Sequence, residues 1–421
     1  MKYTKKVLKN GLKVVTISGL STNAVTMAVY VRGGFRFDFK DRPGISHFAE
    51  HIVFNTTKSS PKFNNLAQAV ESYGGWRDAF TWIEHQEHTI HLPKDNLEDG
   101  LKLLMGTVFE PHVSNSEIQK EKGVIEEEIL RNKADPSRAI WDYAWFPLFF
   151  RGTNLARPYS GTSKNISLIS KPDVELFISK YFQPENAVVL VAGDFKPSFI
   201  QKVVDKYSEK DKRSYKKENI VSLTPKNDNH VFVHIDPSYY QTSLSVGIKT
   251  VPFDSPLKYR FDVLKEMLAG YFSAPLIQKL RDEGGLIYTW ISFHDNLSDT
   301  GYLFLNVTVA HENVNQVASI ILQEFKRFAD GKFSNGEIEM AKSHLAGSIL
   351  VNTETGQDYV RWYGLQELLN PLHVVSVEDK ISLYKKITNS EIRDSAKLFT
   401  KDNIFIAAIG KADKAFLLKL I

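Results

Sequence analysis

The sequence predicts an α+β chain of two homologous domains, each a mixed β-sheet flanked by helices, joined by a charged linker. Three observations lead there. Strand-like and helix-like periodicities alternate in both halves of the 421 residues. Residues 208–229, SEKDKRSYKKENIVSLTPKNDN, are charged and nearly free of core-sized side chains, the composition of a solvated connection. The two halves also close alike: a helical pattern, an asparagine turn (Asn186, Asn403) and an apolar strand, VVLVAG or IFIAAIG, stopped at Gly193 or Gly410. Duplication is the economical explanation, and a chain this long exceeds what one core usually organises. The expected division is 1–207, a linker at 208–229, and 230–421.

Taken in order, MKYTKKVLKNGLKVV has basic residues but no apolar core and no small-residue cleavage site, so it reads as an opening strand and not a signal peptide. Ala24 to Val31 is rich in β-branched and apolar residues and reads as a strand. Phe63, Leu66, Val70 and Tyr73 recur at helical spacing. Leu97, Leu101, Leu104, Met105 and Val108 do the same behind the start signals Pro93 and Asp95.

Composition excludes several classes. A net charge of +4 and a pI near 8.8 reflect a slight lysine excess, not a stripe that grips nucleic acid. No apolar run is long enough to span a bilayer, and a cytoplasmic location is the simplest expectation. With no cysteine, the chain has no disulfides and no thiolate ligands, so any bound metal must take nitrogen and oxygen donors.

Such donors occur together. Residues 45–54, ISHFAEHIVF, contain His47-x-x-Glu50-His51. On a helix, positions four apart share a face, so both imidazoles can reach one ion, and Glu50 projects to the same side. Apolar Phe48, Ile52 and Val53 argue against a solvated helix. Downstream, EIQKEKGVIEEEILRN places Ile118, Glu121, Ile125, Glu128 and Ile129 on one helical face, with Glu126 and Glu127 elsewhere. Carboxylates on an apolar face need a reason, and a zinc ligand is one. Two histidines, one glutamate and an open position form a recurrent catalytic zinc set. Glu128 is the expected ligand, and Glu121 the expected support for it or for a histidine.

HFAEH followed by EKGVIEEEI resembles the pitrilysin/insulinase family of zinc metallopeptidases, whose inverted motif order it shares. The likeness covers essentially the whole chain: LKNGLKVV resembles the family's opening strand, GGWRDAFT its active-site edge strand, and LRDEGGLIY its arginine–tyrosine element. The resemblance implies His47, His51 and Glu128 as zinc ligands, Glu50 as general base, and Arg281 and Tyr288 as substrate-facing residues; Glu121 keeps the supporting catalytic role read from its helix face, and Asp78, Ala79 and Phe80 are the expected substrate-binding residues of the edge strand. It also implies a peptide substrate enclosed in a cavity. A chain carrying both the zinc motif and the Arg281/Tyr288 element is expected to act as a homodimer, with a heterodimer or a catalytically idle assembly subunit as the alternative. Departures exist: Asp78 stands where the family usually has asparagine, Trp76 and Trp82 flank that strand, and Asn55-Thr-Thr lacks the common lysine–glycine. Glu84–His91 holds three more histidines, but strand alternation would put His88 on the opposite face from His85 and His91.

Overall fold

A computed structural model describes residues 1–55, 66–208 and 230–421. Phe63, the two threonines after Asn55 and nearly all of the expected linker lie outside the described residues. The first sheet contains β1 (Lys2–Val7), β2 (Lys13–Ser18), β3 (Ala24–Val31), β4 (Trp76–Thr81), β5 (Gln86–Pro93) and β6 (Ala187–Gly193), in the spatial order β1-β2-β6-β3-β5-β4. The second contains β7 (Val231–Ile235), β8 (Thr242–Thr250), β9 (Ile287–Asn296), β10 (Gly301–Val309) and β11 (Ile404–Gly410), in the order β7-β11-β8-β10-β9. Each sheet has one parallel pair, β2 with β6 and β7 with β11, among antiparallel ones. These are mixed sheets with helices, the α+β class expected, and β3 has the bounds that its composition implied.

The same devices build both sheets. Asn186 donates its side-chain amide to Arg32 O at 2.8 Å and Tyr181 O at 2.7 Å. Asn403 likewise donates to Lys249 O at 3.0 Å and Leu398 O at 2.9 Å. In each case one asparagine ties the end of a helical segment to the neighbouring strand, satisfying carbonyls that the helix leaves open. The closing glycines are required for one reason. Gly193 and Gly410 have φ of 154° and 120°, and a Cβ on either would lie within 3.0 Å of the adjacent backbone.

The compact units do not follow a single cut in the chain. One comprises residues 1–127, 159–219 and 352–374, the other 128–158, 220–351 and 375–421, and the first division falls inside a continuous helix, Asn115–Ala134. Each sheet therefore takes helical cover from the other half of the sequence. In the first unit, the helix Gly356–Leu369 packs Val360, Tyr363 and Leu368 against Val15, Ala28, Tyr30 and Leu190. In the second, Trp141 and Trp145 stack against Phe304 at 4.3 and 4.8 Å, and Phe149 meets Phe405 at 5.2 Å. A sheet with two apolar faces must cover both, and aromatic side chains contribute the largest buried areas. Among the described residues no helix is long and apolar enough to cross a membrane.

Candidate metal centre

The motif lies on the helix Ile45–Asn55. Its first amides are satisfied by Asp38, whose carboxylate accepts from Gly44 N at 2.6 Å and Ser46 N at 2.9 Å. Gln86, fully buried at the start of β5, donates to Gly33 O and Ser46 O at 2.9 and 2.8 Å, tying the turn beside His47 to the sheet. Ile45, Phe48, Ala49, Ile52 and Val53 are buried, so the helix is packed on several sides. His47 and Glu50 are buried with them, and the two imidazole centroids are 4.7 Å apart.

The second contributing helix is Asn115–Ala134. Ile118, Glu121, Ile125 and Ile129 are buried and Glu128 is half-buried, while Glu126 and Glu127 are exposed, as helical spacing required. His47, His51 and Glu128 each present one ligand atom, all within 4.8 Å of one another, and they form the only such group of three among the described residues. Glu121 Oε2 lies 3.0 Å from His51 Nδ1, and its Oε1 accepts from Asn55 Nδ2 at 3.1 Å. An ionised carboxylate only accepts, so His51 Nδ1 carries the proton and Nε2 keeps the lone pair for an ion.

The donor set fits zinc. Burial, reinforced by neighbouring His51, holds the pKa of His47 well below the usual imidazole range, leaving a neutral ring with a free electron pair near neutral pH. Two imidazoles and a carboxylate, without sulfur, form a borderline-hard set with positions left for water.

β4 runs along this helix as the outer strand of its sheet, paired with β5. Its side chains alternate: Arg77, Ala79 and Thr81 are turned inward, while Trp76, Asp78 and Phe80 are exposed. Thr81 Oγ1 donates to Glu50 Oε2 at 2.5 Å. Arg77 donates to Phe54 O at 2.7 Å and Asn55 Oδ1 at 3.3 Å, with its guanidinium 3.9 Å above the Phe54 ring. Phe80 stacks on Trp82 at 5.7 Å, and Tyr159 packs on His47 at 5.3 Å. Sequence reasoning missed Asp38, Arg77, Thr81, Gln86 and Tyr159. Alternation along β4 was the available signal for Arg77 and Thr81; nothing local marked the others.

The remaining residues divide. Arg281 and Tyr288 belong to the second unit. Arg281 lies 4.8 Å over Phe272 and 6.0 Å from the Trp290 ring centroid, and Tyr288 is 81% exposed on β9. The three histidines of this stretch do not converge, and His85 lies just before β5. His85 stacks on Tyr30, His91 on Trp76, and His88 sits buried against Phe182.

Comparison with known proteins agrees with this architecture. Residues 13–163 match the family model described as insulinase (peptidase family M16), and residues 169–345 match that of the peptidase M16 inactive domain. A Bacillus subtilis (strain 168) protein described as an uncharacterized zinc protease, YmxG, is 24% identical over 94% of this chain and 95% of its own length. Subunit 1 of the mitochondrial cytochrome b-c1 complex of Mus musculus is also 24% identical, over 85% of this chain and 77% of its own. In structure, a protease from Helicobacter pylori superimposes with a TM-score of 0.86 at 21% identity, covering 97% of this chain and 99% of that one. With two mixed sheets in the structure and both domain models matched one after the other along the chain, the protein belongs to the M16 (insulinase/pitrilysin) family.

Proposed function

We propose that this chain is a zinc-dependent endopeptidase acting on peptides or unfolded segments. One observation carries the reading: His47, His51 and Glu128 present ligand atoms within 4.8 Å of one another, and the two histidines share their helix turn with the buried carboxylate of Glu50. When bound, zinc supplies Lewis acidity and lowers the pKa of a coordinated water to roughly 7. Glu50 is the general base that takes the proton from the attacking water and delivers it to the leaving amine. Glu121 fixes the His51 tautomer. β4, with Asp78, Ala79 and Phe80, offers a backbone edge to which an extended peptide adds by main-chain hydrogen bonds, a mode that tolerates many sequences. Arg281 and Tyr288 keep the substrate-facing roles that the family resemblance implies.

The test is bound metal and hydrolysis of a mixed peptide pool, comparing wild type with Glu50→Gln. Zinc in both proteins, with cleavage lost only in the variant, supports these roles. Wild type that binds no zinc after careful loading sinks the reading. A second reading, a non-catalytic or partner-dependent assembly subunit, draws support from the likeness to a cytochrome b-c1 subunit and to a domain described as inactive. Zinc-loaded wild type that cuts nothing favours it. For the active reading we propose a homodimer, checked by sedimentation equilibrium of the isolated chain.

A further inference from the structure

We infer that Thr81 is a positioning residue for Glu50, and that through it the peptide-accepting strand and the general base form one mechanical unit. The inference rests on the endopeptidase reading. Its basis is the inner face of β4. Strand alternation sends Arg77, Ala79 and Thr81 toward the motif helix. Arg77 holds the helix end through Phe54 O at 2.7 Å, and Thr81 holds Glu50 through a 2.5 Å hydrogen bond. Thr81 is 4% exposed and Glu50 8%, so water competes little for this contact.

The geometry resolves a problem that a buried base poses. Glu50 lies between the two histidines in sequence, on a turn whose backbone is fixed, yet its carboxylate retains three rotatable side-chain bonds. A hydroxyl donating to Oε2 restricts rotation of the carboxylate and so sets the direction in which the group is presented to the water proton. Thr81 in turn is fixed by its cross-strand partner Gln86, whose amide donates to Ser46 O on the motif helix. The pair clamps the helix at two points one residue from His47 and at Glu50. The opposite edge of β4 is the one on which a peptide would lie. A substrate hydrogen-bonded to that edge therefore stiffens the strand that aims the base.

The test compares wild type, Thr81→Val and Thr81→Ser, each loaded with one equivalent of zinc. Valine keeps the shape and removes the donor; serine restores it. We expect Thr81→Val to bind zinc and melt as wild type does, and to lose roughly 10- to 100-fold in kcat with little change in KM, the scale of a small misplacement of a reacting group. Thr81→Ser should recover most of kcat. A crystal structure of zinc-loaded Thr81→Val gives a readout independent of turnover: the Glu50 carboxylate should leave its wild-type orientation. If wild type proves inactive, this structure still decides the matter, because failure of the endopeptidase reading leaves the carboxylate shift intact. A carboxylate that stays in place, an unchanged kcat, or a loss expressed only in KM overturns the inference.

Discussion

Replacing Glu121 by alanine should weaken zinc binding by roughly 10- to 100-fold, the range over which partners of metal-bound histidines act. The size follows from the contacts that are lost. Glu121 is 3% exposed and accepts hydrogen bonds from His51 Nδ1 at 3.0 Å and from Asn55 Nδ2 at 3.1 Å. Without it, His51 Nδ1–H has no carboxylate to donate to, the ring is less electron-rich, and its tautomer is no longer imposed. That loss corresponds to about 1.4–2.7 kcal/mol of binding free energy. The assay is competition for zinc against a chromophoric chelator of known affinity, with thermal melts of the metal-free proteins to separate binding from folding. Glu126→Ala, on the exposed face of the same helix, is the control and should bind as wild type does. A well-folded Glu121→Ala that holds zinc as tightly as wild type would refute the reasoning.

Two further predictions concern the fold. Burial pushes the pKa of His85 down to about 4 and of His88 to about 3, so below the unfolded-state value of about 6.5 the unfolded chain takes up protons that the native chain refuses, and stability falls with pH. At pH 5.5 each histidine should account for about 1.4 kcal/mol, so urea unfolding of metal-free protein at pH 7.5 and 5.5 should show a smaller drop for His88→Leu than for wild type; equal drops would contradict the burial argument. Gly364→Ala would set a Cβ 2.4 Å from the Tyr30 ring, where the helix Gly356–Leu369 packs on the first sheet, and should cost about 1–3 kcal/mol in denaturant unfolding; no loss would mean that this helix does not pack there.

Local chemistry carried much of this structure. The spacing of His47, Glu50 and His51 requires a helix to bring two imidazoles to one face, and the helix is there. Ile118, Glu121, Ile125 and Ile129 are buried while Glu126 and Glu127 are exposed, because the 3.6-residue period leaves no other choice once one face is covered. The repeated asparagine turns and glycine stops were equally legible, since each meets a local backbone need. Tertiary structure decided the rest. Which glutamate meets His51 and which approaches both histidines depends on how two helices cross, and Glu121 and Glu128 share a face in the sequence pattern. The exchange of 128–158 and 352–374 between the units had no local mark, because an apolar helix face fits any apolar sheet face and only chain connectivity chooses between them. Thr81 reads as an ordinary strand threonine until β4 is laid against the motif helix and its hydroxyl meets Glu50.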